Sequence, residues 1–385
     1  MAPGGTTVVW DDGFLAYDFG PGHPFTEASR GLAVRLLEEL EPGFRPGGAC
    51  RVASVAEASR QSVERFHRPQ YLERLVRLES APHRELLDQG DTPSFPGCWT
   101  ASRRLVGGTL DALDLVRSGR VPRAFNPGGG LHHAHPDRAS GFCILNDLAV
   151  AIATALDTGG RSERVAYVDI DAHHGDGVMY GFYDDGRLLD IDFHQDGRTI
   201  FPGTGFAHET GRGDGTGRKV NLSLPPGTGD AGLCALFDRI AMPMLLDFRP
   251  RLIILQCGVD GHAGDSLGAT ELAYSPVGYR HVVRSLTRLA RELGRVPLLV
   301  TGGGGYTAEH VSRVLASVPF WLEGAERPDR PMPAVWRAEF ERAFHRSAPT
   351  YWEATADPEP WSASREDRLV APLEHALGRR FPRPD

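Results

Sequence analysis

Short apolar runs alternate along the chain with longer stretches in which apolar residues recur every three or four positions. The short runs predict strands at 6–10, 51–55, 124–126, 165–170, 188–193, 220–224, 252–256 and 298–301. The helical spacing predicts helices at 27–40, 71–78, 100–116, 144–156, 230–246, 277–293 and 308–316. Thr100 serves as the expected cap of its helix, and Pro69 sits where a first turn tolerates it. The central strands are apolar at successive positions, the pattern of strands covered on both faces. Strand–helix–strand alternation then gives an α/β class: a three-layer α/β/α sandwich around a mostly parallel sheet.

After Trp321 the texture changes to Pro, Trp and charge, with Pro331, Pro333, Trp336, Pro349, Trp352, Pro358 and Trp361. This divides the chain into a main domain over 1–321 and an extension over 322–385 that packs on it through its aromatics. A partner-binding tail is the alternative. With 385 residues, 41% hydrophobic and 24% charged, the composition is that of a globular chain. A net charge of -8 offers no grip for phosphate backbones, so no direct nucleic-acid partner is expected. No apolar run approaches the ~20 residues of a membrane span. Cys50, Cys98, Cys143, Cys234 and Cys257 form neither a CxxC pair nor a disulfide framework. Met1–Trp10 shows no leader pattern, so a cytoplasmic location is expected. Lys219 is the sole lysine among 42 basic residues.

Chemistry collects where an open parallel sheet places its ligands, beyond the carboxyl ends of strands. There stand Leu131-His132-His133, the run Asp169-Ile170-Asp171-Ala172-His173-His174-Gly175-Asp176, the acids Asp260 and Asp265, and four glycines before Tyr306. Asp171 and His173, two apart at a strand end, can point to one side and form two arms of a metal site. Asp265 or Asp260 can supply the third. Oxygen and nitrogen donors without thiolate suit zinc in an open catalytic site, and iron(II) or manganese also fit. A lone Asp-x-His is more often structural; the combination of four such strand ends is what points to a site. The glycine run matches neither nucleotide-binding loop.

These residues resemble the arginase/deacetylase fold and, within it, the zinc-dependent histone deacetylase family, in particular its bacterial acetoin utilisation branch. The resemblance rests on Gly22-His23-Pro24, Gly130 to Ala134, Arg138 to Asp147, Asp169 to Gly177, Phe201 to Gly205, Gln256 to Leu267 and Gly302 to Tyr306. It implies hydrolysis of Nε-acetyl-lysine, in proteins, to lysine and acetate. Asp171, His173 and Asp265 are the implied zinc ligands, and His133 the general base and acid. His132 is its electrostatic partner, and Asp169 and Asp176 orient the two histidines. Tyr306 is the implied donor to the scissile carbonyl. Phe142 and Phe201 would wall a channel, with Gly141 contributing backbone, Leu272 at the mouth and Asp91 gripping the substrate at the rim. Arg30 resembles an internal arginine beneath the site.

The resemblance also implies a potassium site built from Asp169, Asp171, His173, Asp192 and Phe193. The family usually has serine where this chain has Asp192, which changes the charge of that site. Three rivals remain. A binuclear manganese ureohydrolase would need a carboxylate where Gly175 stands. A deacetylase of small acetylated amines such as polyamines would need an acidic gatekeeper near Leu272, where Glu271 is adjacent. A non-catalytic acyl-lysine reader would be expected to have lost part of the site. As a lysine deacetylase, the chain would offer one side chain, Lys219, to its own chemistry.

Overall fold

The computed structural model describes residues 5–41, 50–52, 54–81, 83–88, 90–265, 267, 269–353 and 361–383. The strands are β1 (Thr6–Val9), β2 (Cys50–Val52), β3 (Arg123–Asn126), β4 (Val165–Asp169), β5 (Leu188–Gln195), β6 (Lys219–Leu224), β7 (Leu252–Gln256) and β8 (Leu298–Thr301). They form one sheet in the order β2-β1-β3-β8-β7-β4-β5-β6, and every neighbouring pair is parallel.

Alternate residues of each central strand enter separate cores. Ala166, Val168, Ile253, Leu255, Leu298 and Val300 face one side, while Val165, Tyr167, Leu252, Ile254 and Leu299 face the other. Helices cover both faces, which is the arginase/deacetylase α/β architecture. They are α1 (Ala28–Leu40), α2 (Arg60–Val63), α3 (Pro69–Leu78), α4 (Cys98–Arg117), α5 (Asp147–Gly159), α6 (Asp176–Gly181), α7 (Asp230–Leu236), α8 (Met242–Phe248), α9 (Pro276–Glu292), α10 (Ala308–Leu322), α11 (Ala334–Phe344) and α12 (Ala363–Leu377). α3, α4 and α5 pack on one face; α1 and α7 to α12 pack on the other.

Several boundaries differ from the sequence pattern, each for a local reason. Thr100 is not the cap of α4: the helix starts at Cys98, after Gly97 at φ 83°. Its exposed amides are met instead by Glu79, whose Oε2 accepts from Trp99 N at 2.8 Å and Thr100 N at 3.3 Å. α5 begins late because the Asn146 side chain caps it, accepting from Ala149 N at 2.8 Å. The stretch 230–246 is helical but passes through a π-helical turn at Phe237–Ala241 before α8. Pro243, which has no N–H to donate, follows that turn.

Beyond α10, Trp336 is fully buried and donates from Nε1 to Leu32 O at 2.8 Å. Trp352 donates to Pro328 O at 3.1 Å, with Arg327 over its ring. Pro358 lies outside the described residues. No helix of the described residues is long and apolar enough to cross a membrane.

Lys219 is not available to any solvent-borne enzyme. It is 0% exposed, pairs in register with Asp190, and donates from Nζ to Leu188 O at 2.9 Å. Burial, only partly offset by Asp190, pulls its pKa down to about 8.

Candidate active site

The strands β3, β8, β7 and β4 are neighbours in that order, so the loops leaving their carboxyl ends converge. Asp147, at the start of α5, holds the first of these loops. Its carboxylate accepts from Gly130 N at 3.0 Å, Leu131 N at 2.8 Å and the Thr109 hydroxyl at 2.5 Å. Asn146 donates to His132 O at 2.8 Å and Ala134 O at 3.0 Å. The motif containing both residues was legible in the sequence, but their task of presenting the tandem histidines was not.

His132 Nδ1 lies 2.8 Å from Asp169 Oδ2, and His133 Nδ1 lies 2.7 Å from Asp176 Oδ1. Their Nε2 atoms face each other at 3.1 Å, a contact favourable only when one proton is shared between them. The electrostatics separates the pair accordingly. Burial acts against charge on His132, but Asp169 and Asp171 outweigh it and hold its pKa up at about 10. Burial and the neighbouring His132 push His133 down to about 4, against the pull of Asp176. The neighbouring carboxylates thus favour the charged form at His132, and burial favours the neutral form at His133. Asp176 also reaches His135 Nε2 at 3.0 Å, a third histidine to which the sequence reading assigned no role.

Asp171, His173 and Asp260 place their donor atoms within 4.8 Å of one another, all buried. His173 Nδ1 is 2.9 Å from Asp260 Oδ2 and 3.3 Å from Asp171 Oδ1. Asp171 is fixed by Gln256 Nε2 and Gly304 N, each 2.7 Å from Oδ2. A Cβ on Gly258 would lie 2.0 Å from Asp171 Oδ2, and one on Gly304 would lie 2.1 Å from Asp260 Oδ2. The glycines are there for close approach to carboxylates. Burial is outweighed at His173 by these two acids, which hold its pKa up at about 10. Two carboxylates and one imidazole in a buried cradle have the charge and donor chemistry that fit a divalent cation.

Asp265 stands apart from this group. Its Oδ2 accepts from Tyr306 N at 2.7 Å and Thr307 N at 2.9 Å, while Oδ1 has only a 3.4 Å contact from Leu267 N. Both oxygens of Asp260 are engaged, Oδ1 by Ala172 N at 2.8 Å and Oδ2 by His173.

A cavity of about 540 Å³ opens above His133 and His173, lined by Phe142, Phe201, Gly141, Asp91, Arg198 and Tyr306 among others. The Phe201 ring is 5.0 Å from that of His133, and Phe142 is 6.0 Å from Tyr306. Gly141 has φ 51°, and a Cβ there would meet His133 Cδ2 at 2.5 Å. Phe142 follows with φ 66°, held by Thr92 Oγ1 to its N–H at 2.9 Å and by the Tyr17 hydroxyl on its carbonyl at 2.7 Å. Burial, then Asp260 and Asp171, raise Tyr306 well above a normal phenol, so its proton is retained.

Leu272 is a correction: it is buried in the core and does not line the cavity, where Leu267 and Ala269 stand instead. The segment around it is drawn inward by Gly227 N to Glu271 O at 2.7 Å and Ala273 N to Thr228 O at 2.9 Å. Glu271 is likewise absent from the cavity wall. Arg30 is buried beneath the glycine loop, donating to Gly303 O and, at 3.4 Å, to Gly305 O. Asp192 accepts from Gly175 N at 2.7 Å and pairs with His194 Nδ1 at 2.7 Å, so both its oxygens have partners within the protein.

His67 supports the histidine loop from behind. It is buried and accepts from Asn146 N at 2.9 Å, and burial pushes its pKa down to about 3. The unfolded chain takes up this proton near pH 6.5, the folded chain only near 3. Its contribution to stability is therefore complete above pH 6.5 and is lost as pH falls, at up to ~1.4 kcal/mol per pH unit. His67→Gln, which can retain an acceptor, is expected to flatten the acid limb of urea-unfolding free energies between pH 6.5 and 4.5. Parallel limbs in the two proteins would show that His67 does not carry that dependence.

The family model "Histone deacetylase domain" matches residues 23–319. The chain is 34% identical over 360 residues to Acetoin utilization protein AcuC of Bacillus subtilis (strain 168), covering 91% of this chain and 90% of the relative. It is 35% identical over 327 residues to Histone deacetylase clr6 of Schizosaccharomyces pombe, covering 83% and 77%. A Probable deacetylase of Archaeoglobus fulgidus is 32% identical over 342 residues, covering 86% and 92%. With the tandem histidines, the buried donor group and the phenylalanine-walled cavity at the ends of adjoining strands, these matches make the chain a hydrolase that belongs to the histone deacetylase family.

Proposed function

We propose that this hydrolase removes acetyl, or a related short acyl group, from the Nε of lysine in proteins or peptides, releasing acetate, with zinc as its metal. The observation that carries the reading is the pair of histidines, each held by its own aspartate, at a phenylalanine-walled cavity that Tyr306 also lines. Asp171 and His173 would hold the metal with a carboxylate from the loop after β7, Asp265 being the one the family resemblance implies. When bound, the cation supplies Lewis acidity toward an amide carbonyl and toward water.

The protein's own groups do the rest. A lysine-like aliphatic stem lies between Phe142 and Phe201, which exclude water around it. Tyr306 donates its hydroxyl proton in a hydrogen bond to the carbonyl oxygen as negative charge develops there. His133 takes a proton from water at Nε2 while the water oxygen bonds to the carbonyl carbon. It then returns that proton to the amine nitrogen as the C–N bond breaks. His132, held as a cation by Asp169, stabilises the negative charge that builds up beside it. Asp176 fixes the His133 ring and favours its protonated form in passing.

A monovalent cation near Asp169, Asp171, His173, Asp192 and Phe193 remains part of the proposal. Asp192 already has His194 as a counter-charge there, so weak potassium dependence is expected. The absence of Glu271 from the cavity wall favours an acyl-lysine substrate over a small acetylated amine. The test is kcat/KM for an acetyl-lysine peptide, free acetyl-lysine and an acetylpolyamine, measured side by side at known metal content. The peptide is expected to lead; an acetylpolyamine ahead of it would move the assignment to small amines. No turnover of any of the three at full metal loading would leave an acyl-lysine reader.

A further inference from the structure

A second gathering of metal-type donors lies beside the active site: His262 in the loop after β7, His310 in the first turn of α10, and Glu353 in the extension. Their donor atoms lie within 4.8 Å of one another. The hydrogen bonding decides against a metal. Gly264 N donates to His262 Nδ1 at 3.0 Å, so that nitrogen holds a lone pair and the proton sits on Nε2. A metal on Nε2 would need the opposite tautomer, with Nδ1 donating. Arg313, a permanent cation, also places Nη2 3.2 Å from Glu353 Oε2 and 3.4 Å from His310 Nδ1. The same Glu353 oxygen is 2.5 Å from His310 Nδ1 and 3.3 Å from His262 Nε2. One carboxylate oxygen of the extension is hydrogen-bonded by His310 and Arg313, with His262 Nε2 packed close by.

What those side chains touch on their other faces gives the clasp its meaning. The His310 and His262 rings stack at 4.3 Å. His310 lies so close to the backbone at Gly264 that a Cβ there would be 2.2 Å from its Nε2. The next residue is Asp265, whose Oδ2 accepts from the amides of Tyr306 and Thr307. Arg313 Nη1 also donates to Tyr351 O at 2.9 Å, fastening the segment just before Glu353. A continuous set of contacts therefore runs from Glu353 through His310 and Gly264 to Asp265 and the main chain of Tyr306.

We infer that Glu353 is a positioning residue for Tyr306: the extension holds, through this clasp, the loop and helix start that set the tyrosine over the cavity. The inference rests on the catalytic role proposed for Tyr306. Its test uses the full chain with its metal, comparing Glu353→Ala and the milder Glu353→Gln with the parent. In Glu353→Ala, hydrogen exchange at the amides of Tyr306 and Thr307 is expected to accelerate about ten-fold or more while the amides of β4 keep their rates. kcat on the acetyl-lysine peptide is expected to fall about ten-fold with KM within about two-fold, and Glu353→Gln to lie between. Introduced into Tyr306→Phe, the same change is expected to alter kcat by less than about two-fold.

Unchanged exchange at 306 and 307, or acceleration throughout the sheet, would overturn the inference, as would kcat losses that simply add. Loss of a second equivalent of bound zinc from the parent on Glu353→Ala would replace it with a metal site. If the peptide proves not to be a substrate, the exchange measurement still decides the clasp by itself. Failure of the proposed function and failure of the clasp are thereby separable.

Discussion

Asp171→Asn is expected to yield a folded chain that retains less than about a tenth of its metal and loses ~10³-fold or more in kcat/KM. The side chain is nearly isosteric, and the amide oxygen can still accept from Gln256 and Gly304, which now fix Oδ2 at 2.7 Å. What disappears is the negative charge that, with Asp260, surrounds His173 Nδ1. Metal analysis of the purified variant and thermal unfolding with added zinc measure this directly. The parent should gain stability with zinc in proportion to ln(1 + [Zn]/Kd), and the variant should not. Full metal content in Asp171→Asn would remove Asp171 from the ligand set. Asp260→Asn and Asp265→Asn, analysed together, identify the third donor as the one whose loss empties the site. The other should keep metal and lose the alignment of His173 or of Tyr306.

Tyr306→Phe is expected to lower kcat ~10²- to 10³-fold, with KM and metal content close to the parent. The ring stays where packing puts it, at the cavity wall beside Phe142, and only the hydroxyl is lost. A donor that acts on charge developing at the carbonyl oxygen contributes to the transition state and little to the bound substrate, so the loss falls on kcat. Single-turnover kinetics isolates that step from product release. A rise in KM with kcat unchanged would make Tyr306 a binding residue, and a loss of metal would make it structural.

The architecture was largely readable from pattern because the central strands lie between two apolar layers, and such strands stand out whatever packs on them. All eight strands among the described residues were anticipated. Helix limits were less readable, since Gly97 and Glu79 start α4 through a contact 20 residues apart in sequence. In the extension, α11 and α12 were not foreseen, because Pro and charge obscure their short apolar faces.

Within the site, the tandem histidines and their two aspartates could be placed because strand ends bring them together in any sheet of this order. Leu272 could not be, because its segment turns inward on the strength of backbone bonds to the loop after β6. His135, though at the same strand end as the tandem histidines, carried no sign of a role, and Glu353 gave no signal. One is an ordinary polar residue until Asp176 is seen beside it, and the other lies 43 residues from its partner His310.

The burial of Lys219 carries a practical consequence. Amine-directed labels, lysine cross-linkers and surface-coupling reagents have no exposed side-chain amine to attack on the folded protein. Any such reagent that modifies residue 219 therefore reports opening of the β5–β6 edge of the sheet, which makes the residue a built-in probe of unfolding. By the same geometry, a transferase that acylates lysines meets no acceptor side chain on the native protein.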